Sequence, residues 1–143
     1  MARFWDTSVI IPLLVREPTT AELLMLLRDD EHITVWWGTR IECASALSRR
    51  IREGGLNSAA EAQARTVLDR LVGSWSEIQP TDRVRSLAQR LLAVHPLRAA
   101  DALRLASALV GTEDAPEQRP SICLDHRLRQ AARKEGFAVR PLD

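Results

Sequence analysis

The first fifteen residues constrain the fold most. Arg3-Phe4-Trp5 is a short, largely apolar run that stops at Asp6. Small hydroxyl residues follow, and a second apolar run extends from Val9 to Val15. This order predicts a buried strand, a sharp turn at Asp6 and a helix starting at Thr7 or Ser8. In an open α/β sheet, ligands bind in the crevice beyond the carboxyl ends of the strands. Asp6 is expected to stand there.

The rest of the chain repeats the theme. Pro18 interrupts the pattern, and Thr19 or Thr20 caps a helix running to about Arg28. Ile33-Thr34-Val35-Trp36 is a β-type run, with Gly38-Thr39 as its turn into a helix spanning about Arg40 to Glu53. Ile41, Ala44, Leu47 and Ile51 share one face of that helix, and Gly54-Gly55 ends it. Asn57 or Ser58 opens a helix to Leu71 or Val72, and Trp75 to Ile78 reads as a short strand. Pro80-Thr81-Asp82 opens a helix that stops at His95-Pro96. An alanine- and leucine-rich helix follows from about Arg98 to Val110. After a polar loop, Ser121 to Leu124 forms a strand that stops at Asp125. A basic helix then runs to about Lys134, and Phe137 to Val139 forms a last strand. Strands alternating with helices predict a small parallel sheet flanked by helices on both faces. The 143 residues suit one domain, 1–143, and no repeat or linker divides them.

Composition narrows the class. Hydrophobic residues make up 45% and charged residues 27%, a globular balance. A net charge of +1 selects no partner. Lys134 is the only lysine, the other basic residues being arginine, whose planar fork suits phosphate contacts and ion pairs alike. No apolar run approaches the ~20 residues that cross a membrane. No signal-peptide pattern opens the chain. Cys43 and Cys123 lie in a helical and a strand-like run, as small core residues do. These features predict a protein of the reducing cytoplasm.

Four carboxylates follow chain reversals. Asp6 and Asp125 each end a strand, Glu42 lies early in the helix after the second strand, and Asp101 occupies the first turn of the alanine-rich helix. They are far apart in sequence, so only tertiary folding could unite them. Clustered carboxylates repel one another and resist ionising together. A hard divalent cation such as Mg²⁺ or Mn²⁺ resolves this, since it prefers oxygen ligands. The chemistry such a cluster suits is metal-assisted phosphodiester hydrolysis. Each residue alone has a simpler reading: Asp6 and Asp125 as helix caps, Asp101 as a complement to its helix dipole, Glu42 as an arginine-paired surface residue. Ser8 is either a hydrogen-bond donor to Asp6 or an ordinary first-turn residue.

Taken together, Asp6-Thr7-Ser8, Glu42, Ala100-Asp101-Ala102-Leu103 and Leu124-Asp125-His126-Arg127-Leu128 resemble the acidic signature of PIN-domain ribonucleases. Their order and the chain length are similar to the VapC-type toxins of bacterial toxin–antitoxin pairs. The resemblance covers essentially the whole chain. It implies a PIN-like domain, Mg²⁺- or Mn²⁺-dependent cleavage of RNA, a homodimer, and a cognate antitoxin as partner. It also implies that Asp6 and Asp101 are the main metal ligands, with Glu42 and Asp125 completing a catalytic, metal-binding quartet.

One departure is Trp36-Trp37, where similar proteins carry small or hydroxyl residues. A tryptophan there either stacks on an unpaired base or fills a core or dimer interface. Arg49, Arg50 and Arg52 form the densest basic group, and Arg127 and Arg129 follow Asp125. Arg49, Arg50 and Arg127 are candidates for contacts to RNA phosphates or to an acidic antitoxin segment, against a reading as a solvated, ion-paired face. His32, His95 and His126 lack zinc-ligand spacing. Two alternatives have other chemistry. One is a non-catalytic RNA- or protein-binding module on the same fold. The other is a receiver-like phosphotransfer domain, which lacks a well-placed lysine here because Lys134 lies in a polar helix.

Overall fold

The computed structural model describes residues 3–113 and 115–142. Among these, five strands form one sheet: β1 Arg3–Trp5, β2 Ile33–Trp36, β3 Ser76–Ile78, β4 Ser121–Ile122 and β5 Val139–Arg140. The order is β3-β2-β1-β4-β5 and every pairing is parallel. The expected parallel sheet, with β1 at its centre, is what forms. Seven α-helices surround it: α1 Thr7–Leu14, α2 Thr20–Asp29, α3 Thr39–Arg52, α4 Ser58–Ser74, α5 Asp82–Val94, α6 Ala99–Gly111 and α7 His126–Lys134.

The strand pleat sorts the side chains between two cores. Trp5, Ile33, Val35 and Ile122 pack with Val9, Ile10, Leu47 and Leu68 beneath α1 to α4. Phe4, Trp36, Cys123 and Val139 pack with Val84, Leu91, Leu105 and Leu128 beneath α5 to α7. A parallel sheet covered on both faces needs apolar residues in both directions, and the short strand runs supply them. Fully buried side chains such as Ile10, Leu47 and Leu91 each contribute about 1.5–3 kcal/mol.

The helix starts are written locally. Asp6, Asn57, Thr81 and Asp125 each cap α1, α4, α5 and α7 with a side-chain oxygen on a backbone N–H. Gly54, at φ +76°, follows the C-cap of α3, where a residue with a Cβ is strained. Pro12 lies inside α1, two residues before its end. The Thr20 hydroxyl donates to the Pro12 carbonyl at 2.7 Å and ties that end to α2.

Two expected elements shift. The last strand begins at Val139 rather than Phe137, because Phe137 is buried in the α5–α7 core before the chain reaches β4. β4 ends at Ile122 rather than Leu124, and Cys123 and Leu124 lead from it to the cap of α7.

Candidate active site

The strand order reverses between β1 and β4, where the crossovers begin to run to the other side. Crevices at such points lie beyond the carboxyl ends of the strands. The Asp6 backbone N–H donates to the Ile122 carbonyl at 2.9 Å, which pins Asp6 at this junction. The N-termini of α1, α3, α6 and α7 carry the four predicted carboxylates. Their partial positive charge favours anionic side chains there.

Three of the four carboxylates converge, and the point of convergence is a residue sequence reasoning missed. Arg104 lies one turn after Asp101 on α6. Its Nη1 donates to Asp101 Oδ1 at 3.1 Å. Its Nε donates to Glu42 Oε2 at 3.0 Å, and its Nη2 makes a close ion pair with the same carboxylate. Asp6 Oδ1 lies 3.6 Å from Arg104 Nε, beyond hydrogen-bond reach. The Ala-Asp-Ala-Leu-Arg order held the only signal: a cation three residues after Asp101 shares its helix face.

Each carboxylate divides its oxygens between fold and site. Asp6 Oδ2 accepts the Ser8 backbone N–H at 3.1 Å, while buried Oδ1 has no hydrogen-bond partner among the described residues. Asp101 Oδ2 accepts the Arg98 backbone N–H at 3.1 Å, leaving Oδ1 to Arg104. Glu42 Oε1 accepts the Thr7 hydroxyl at 2.7 Å, which links the starts of α1 and α3. Burial of Asp6, 2% exposed, raises its pKa above the ordinary carboxylate value. The charge of Arg104 and hydrogen bonding to Ser8 oppose that rise without cancelling it. For Arg104, burial disfavours the charge, but hydrogen bonding to Glu42 and the charges of Asp6, Glu42 and Asp101 outweigh it and push its pKa up.

Asp125 stands differently. It is exposed, caps α7 by accepting the Leu128 N–H at 3.0 Å, and does not join Arg104. It shares with Asp101 and Arg104 the walls of an open cleft of about 740 Å³, completed by Arg49, Arg98 and Arg127. Ser8 meets Asp6 through its backbone N–H. Its hydroxyl accepts the Leu124 N–H at 2.9 Å and so ties α1 to the end of β4. Arg50 is held by Glu17 at 2.6 Å, as a structural ion pair, whereas Arg49 and Arg127 are exposed. Trp36 is buried in the α5–α7 core and Trp37 is 45% exposed, their rings meeting edge to face at 6.3 Å. The Trp36 ring closes over Gly38, where a Cβ would meet its Nε1 at 2.4 Å, so the turn into α3 requires glycine.

Cys43 and Cys123 are free and buried near the acidic group. Burial, then the charges of Glu42 and Asp6, pushes the Cys43 thiol up to about 12. Burial and the charge of Asp6 likewise raise the Cys123 thiol. Neither is a nucleophile at neutral pH.

The donor set fits a hard divalent ion in kind: three carboxylates meet, and Asp6 keeps a buried oxygen with no hydrogen-bond partner among the described residues. Among the described residues, however, no three His, Cys, Asp or Glu side chains stand arranged as a ready-made metal site. The carboxylates close on the guanidinium of Arg104 instead. No described helix is long and apolar enough to cross a membrane.

No curated protein matches the chain. The fold is similar to the crystal structure of VapBC2 from Rickettsia felis bound to a DNA fragment from their promoter. That likeness has a TM-score of 0.65 and 13% identity over 98% of this chain and 98% of that one. It is also similar to the crystal structure of FitAcB from Neisseria gonorrhoeae, with a TM-score of 0.68 and 18% identity over 97% and 96%. A family model of the PIN domain matches residues 3–134, the span that holds β1 to β4, all seven helices and the four carboxylates. The chain belongs to the PIN domain family.

Proposed function

We propose that this chain is a single-domain, metal-dependent endoribonuclease and the toxin of a VapC-type toxin–antitoxin pair. The observation that carries the reading is the approach of Asp6, Glu42 and Asp101 to one point beyond the central strands. PIN domains are generally nucleases, and the VapBC2 and FitAcB likenesses accord with an antitoxin partner. Asp6, Glu42 and Asp101 are the residues that would hold Mg²⁺ or Mn²⁺, and Asp125, a fourth carboxylate, lines a cleft with Asp101. When bound, such an ion polarises a phosphodiester oxygen and lowers the pKa of a water that attacks phosphorus. The chain's own residues prepare for this. Thr7 holds Glu42, the Arg98 N–H holds Asp101 and the Ser8 N–H holds Asp6, so the carboxylates keep their aim. Arg49, Arg98 and Arg127 line the cleft, where RNA phosphates would pass. A homodimer and a cytoplasmic location complete the proposal, and two reduced, buried cysteines accord with the latter.

A second reading has one observation in its favour. Arg104 already pairs with Glu42 and Asp101, as in a purely structural ion cluster, which suits a non-catalytic RNA- or protein-binding module. Incubation of the purified protein with RNA separates the two. The nuclease reading predicts cleavage with Mg²⁺ or Mn²⁺, arrest by EDTA, and recovery when the cation is restored in excess. Cleavage that persists in EDTA contradicts the metal mechanism, and absence of cleavage with either cation favours the binding module.

A further inference from the structure

We propose that Arg104 is the resident counter-cation of the carboxylate cluster, and that a divalent cation enters the site by displacing it. The inference rests on the metal-site reading above and adds a competitor built into the chain. Three observations support it. The guanidinium sits where Asp6, Glu42 and Asp101 meet, within 4 Å of an oxygen of each. The fit is incomplete: Glu42 and Asp101 are satisfied, but buried Asp6 Oδ1 is left with no hydrogen-bond partner. A rigid planar fork cannot turn a donor to every oxygen of three converging carboxylates, whereas a small ion accepts ligands from several directions. Finally, the Arg104 guanidinium is held by side-chain contacts to Glu42, Asp101 and Asp6, and its side chain is 18% exposed at the wall of the cleft. The guanidinium can therefore withdraw into solvent without disturbing either core.

The consequence is competition between two cations for one set of oxygens. Without a divalent ion, Arg104 offsets repulsion among carboxylates that would otherwise be buried together. With one, the two positive charges cannot share the place at these distances. Metal affinity is then set low by the cost of displacing Arg104, and a bound ion frees the guanidinium to face the cleft.

Two measurements test this. The first is Mn²⁺ binding by titration calorimetry to the parent, Arg104→Gln and Arg104→Lys, with folding checked by circular dichroism. Removal of the competing charge in Arg104→Gln should tighten binding by roughly tenfold or more. Arg104→Lys keeps the charge but loses the fork, and should fall between. The second is the Nε–H NMR signal of Arg104 in the parent protein, which needs no variant to fold. Held by Glu42 in the metal-free protein, it should move to the position of a solvated arginine as Mg²⁺ saturates the site. Weaker Mn²⁺ binding by Arg104→Gln, equal binding by all three proteins, or an Arg104 signal unmoved at Mg²⁺ saturation each overturns the inference while leaving the metal site standing. If neither the parent nor Arg104→Gln binds Mn²⁺, both the inference and the metal-site reading fail.

Discussion

Helix α7 runs between two ionic clusters that use the same residue types to opposite ends. At its N-terminus, Asp125 lines a cleft with Asp101 and Arg104, which join Asp6 and Glu42 in one ionic cluster. Just past its C-terminus, Glu135 accepts His95 at 2.7 Å and Arg90 at 3.0 Å, joining α7 to α5. Both oxygens of Glu135 are thus partnered, and hydrogen bonding to His95 and Arg90 lowers its pKa despite the opposing effect of burial. Asp6 is shifted the other way, raised by burial that its partners do not offset. The distal cluster is a matched clamp. The Arg104 cluster is over-supplied with carboxylate, and among the described residues no donor meets the buried Asp6 Oδ1. Strain of that kind is kept where a ligand resolves it, which is the physical argument for reading the cleft as the working site.

Substitutions on the two sides should separate activity from stability. Asp6→Asn keeps the helix cap, since asparagine caps as well as aspartate, but removes a charge from the site. It should abolish RNA cleavage in an assay with purified protein and Mg²⁺. Glu135→Gln should leave cleavage intact. Equal losses in both would erase the distinction between site and clamp.

The stability effects should have opposite signs in metal-free protein. A carboxylate with a lowered folded pKa stabilises above its unfolded value and loses that contribution as pH falls through the folded one. Glu135→Gln should therefore cost about 1 kcal/mol at neutral pH, a difference that vanishes below the ordinary carboxylate range. A raised folded pKa works in reverse: the charged form is penalised above it, and the penalty disappears as pH falls. Asp6→Asn should accordingly raise the thermal midpoint at neutral pH and lose that advantage in acid. Melting curves from pH 3 to 8 read both signs, on the scale of the ordinary pKa values 3.8 and 4.5. A lowered midpoint for Asp6→Asn at neutral pH would show that its ion pair with Arg104 outweighs desolvation.

The smallest effect lies at the rim. Arg127 is exposed beside Asp125. Arg127→Ala should weaken RNA binding and reduce the slope of log affinity against log salt by about one, with the melting temperature unchanged. An unaltered salt slope would remove Arg127 from the RNA path.

Much of this arrangement was legible in the residues themselves. Asp6 and Asp125 end apolar runs, and a strand that stops at a carboxylate marks both the strand end and the helix cap. Both are caps in the structure, so the simplest reading of each was right but insufficient for Asp6, whose second oxygen faces the site. Glu42 and Asp101 were legible because each falls in the first turn of a helix after a reversal. Arg104 was not singled out, because an arginine three residues after an aspartate on a helix reads as a local surface pair. Only the tertiary fold, which brings the first turn of α3 within reach of Arg104 on α6, turns it into a bridge to Glu42. Asp125 showed the converse limit: a strand end in the right place does not set how far its carboxylate reaches, and capping α7 takes one of its oxygens. Trp36 and Trp37 are adjacent in sequence, yet Trp36 ends β2 in the core and Trp37, in the turn that follows, is 45% exposed. Phe137 looked like a strand residue by type, and the core beneath α7 claimed it first.

Asp101→Asn gives the most direct test of the site. Asp101 touches Arg104 and its own helix start, and asparagine matches its volume. With RNA and saturating Mg²⁺, the substitution should reduce cleavage to below about one-hundredth of the parent rate, since losing a metal's supporting contact alone costs 10–100-fold. The circular dichroism spectrum should stay that of the parent. Parent-level cleavage by a folded Asp101→Asn protein would contradict the account.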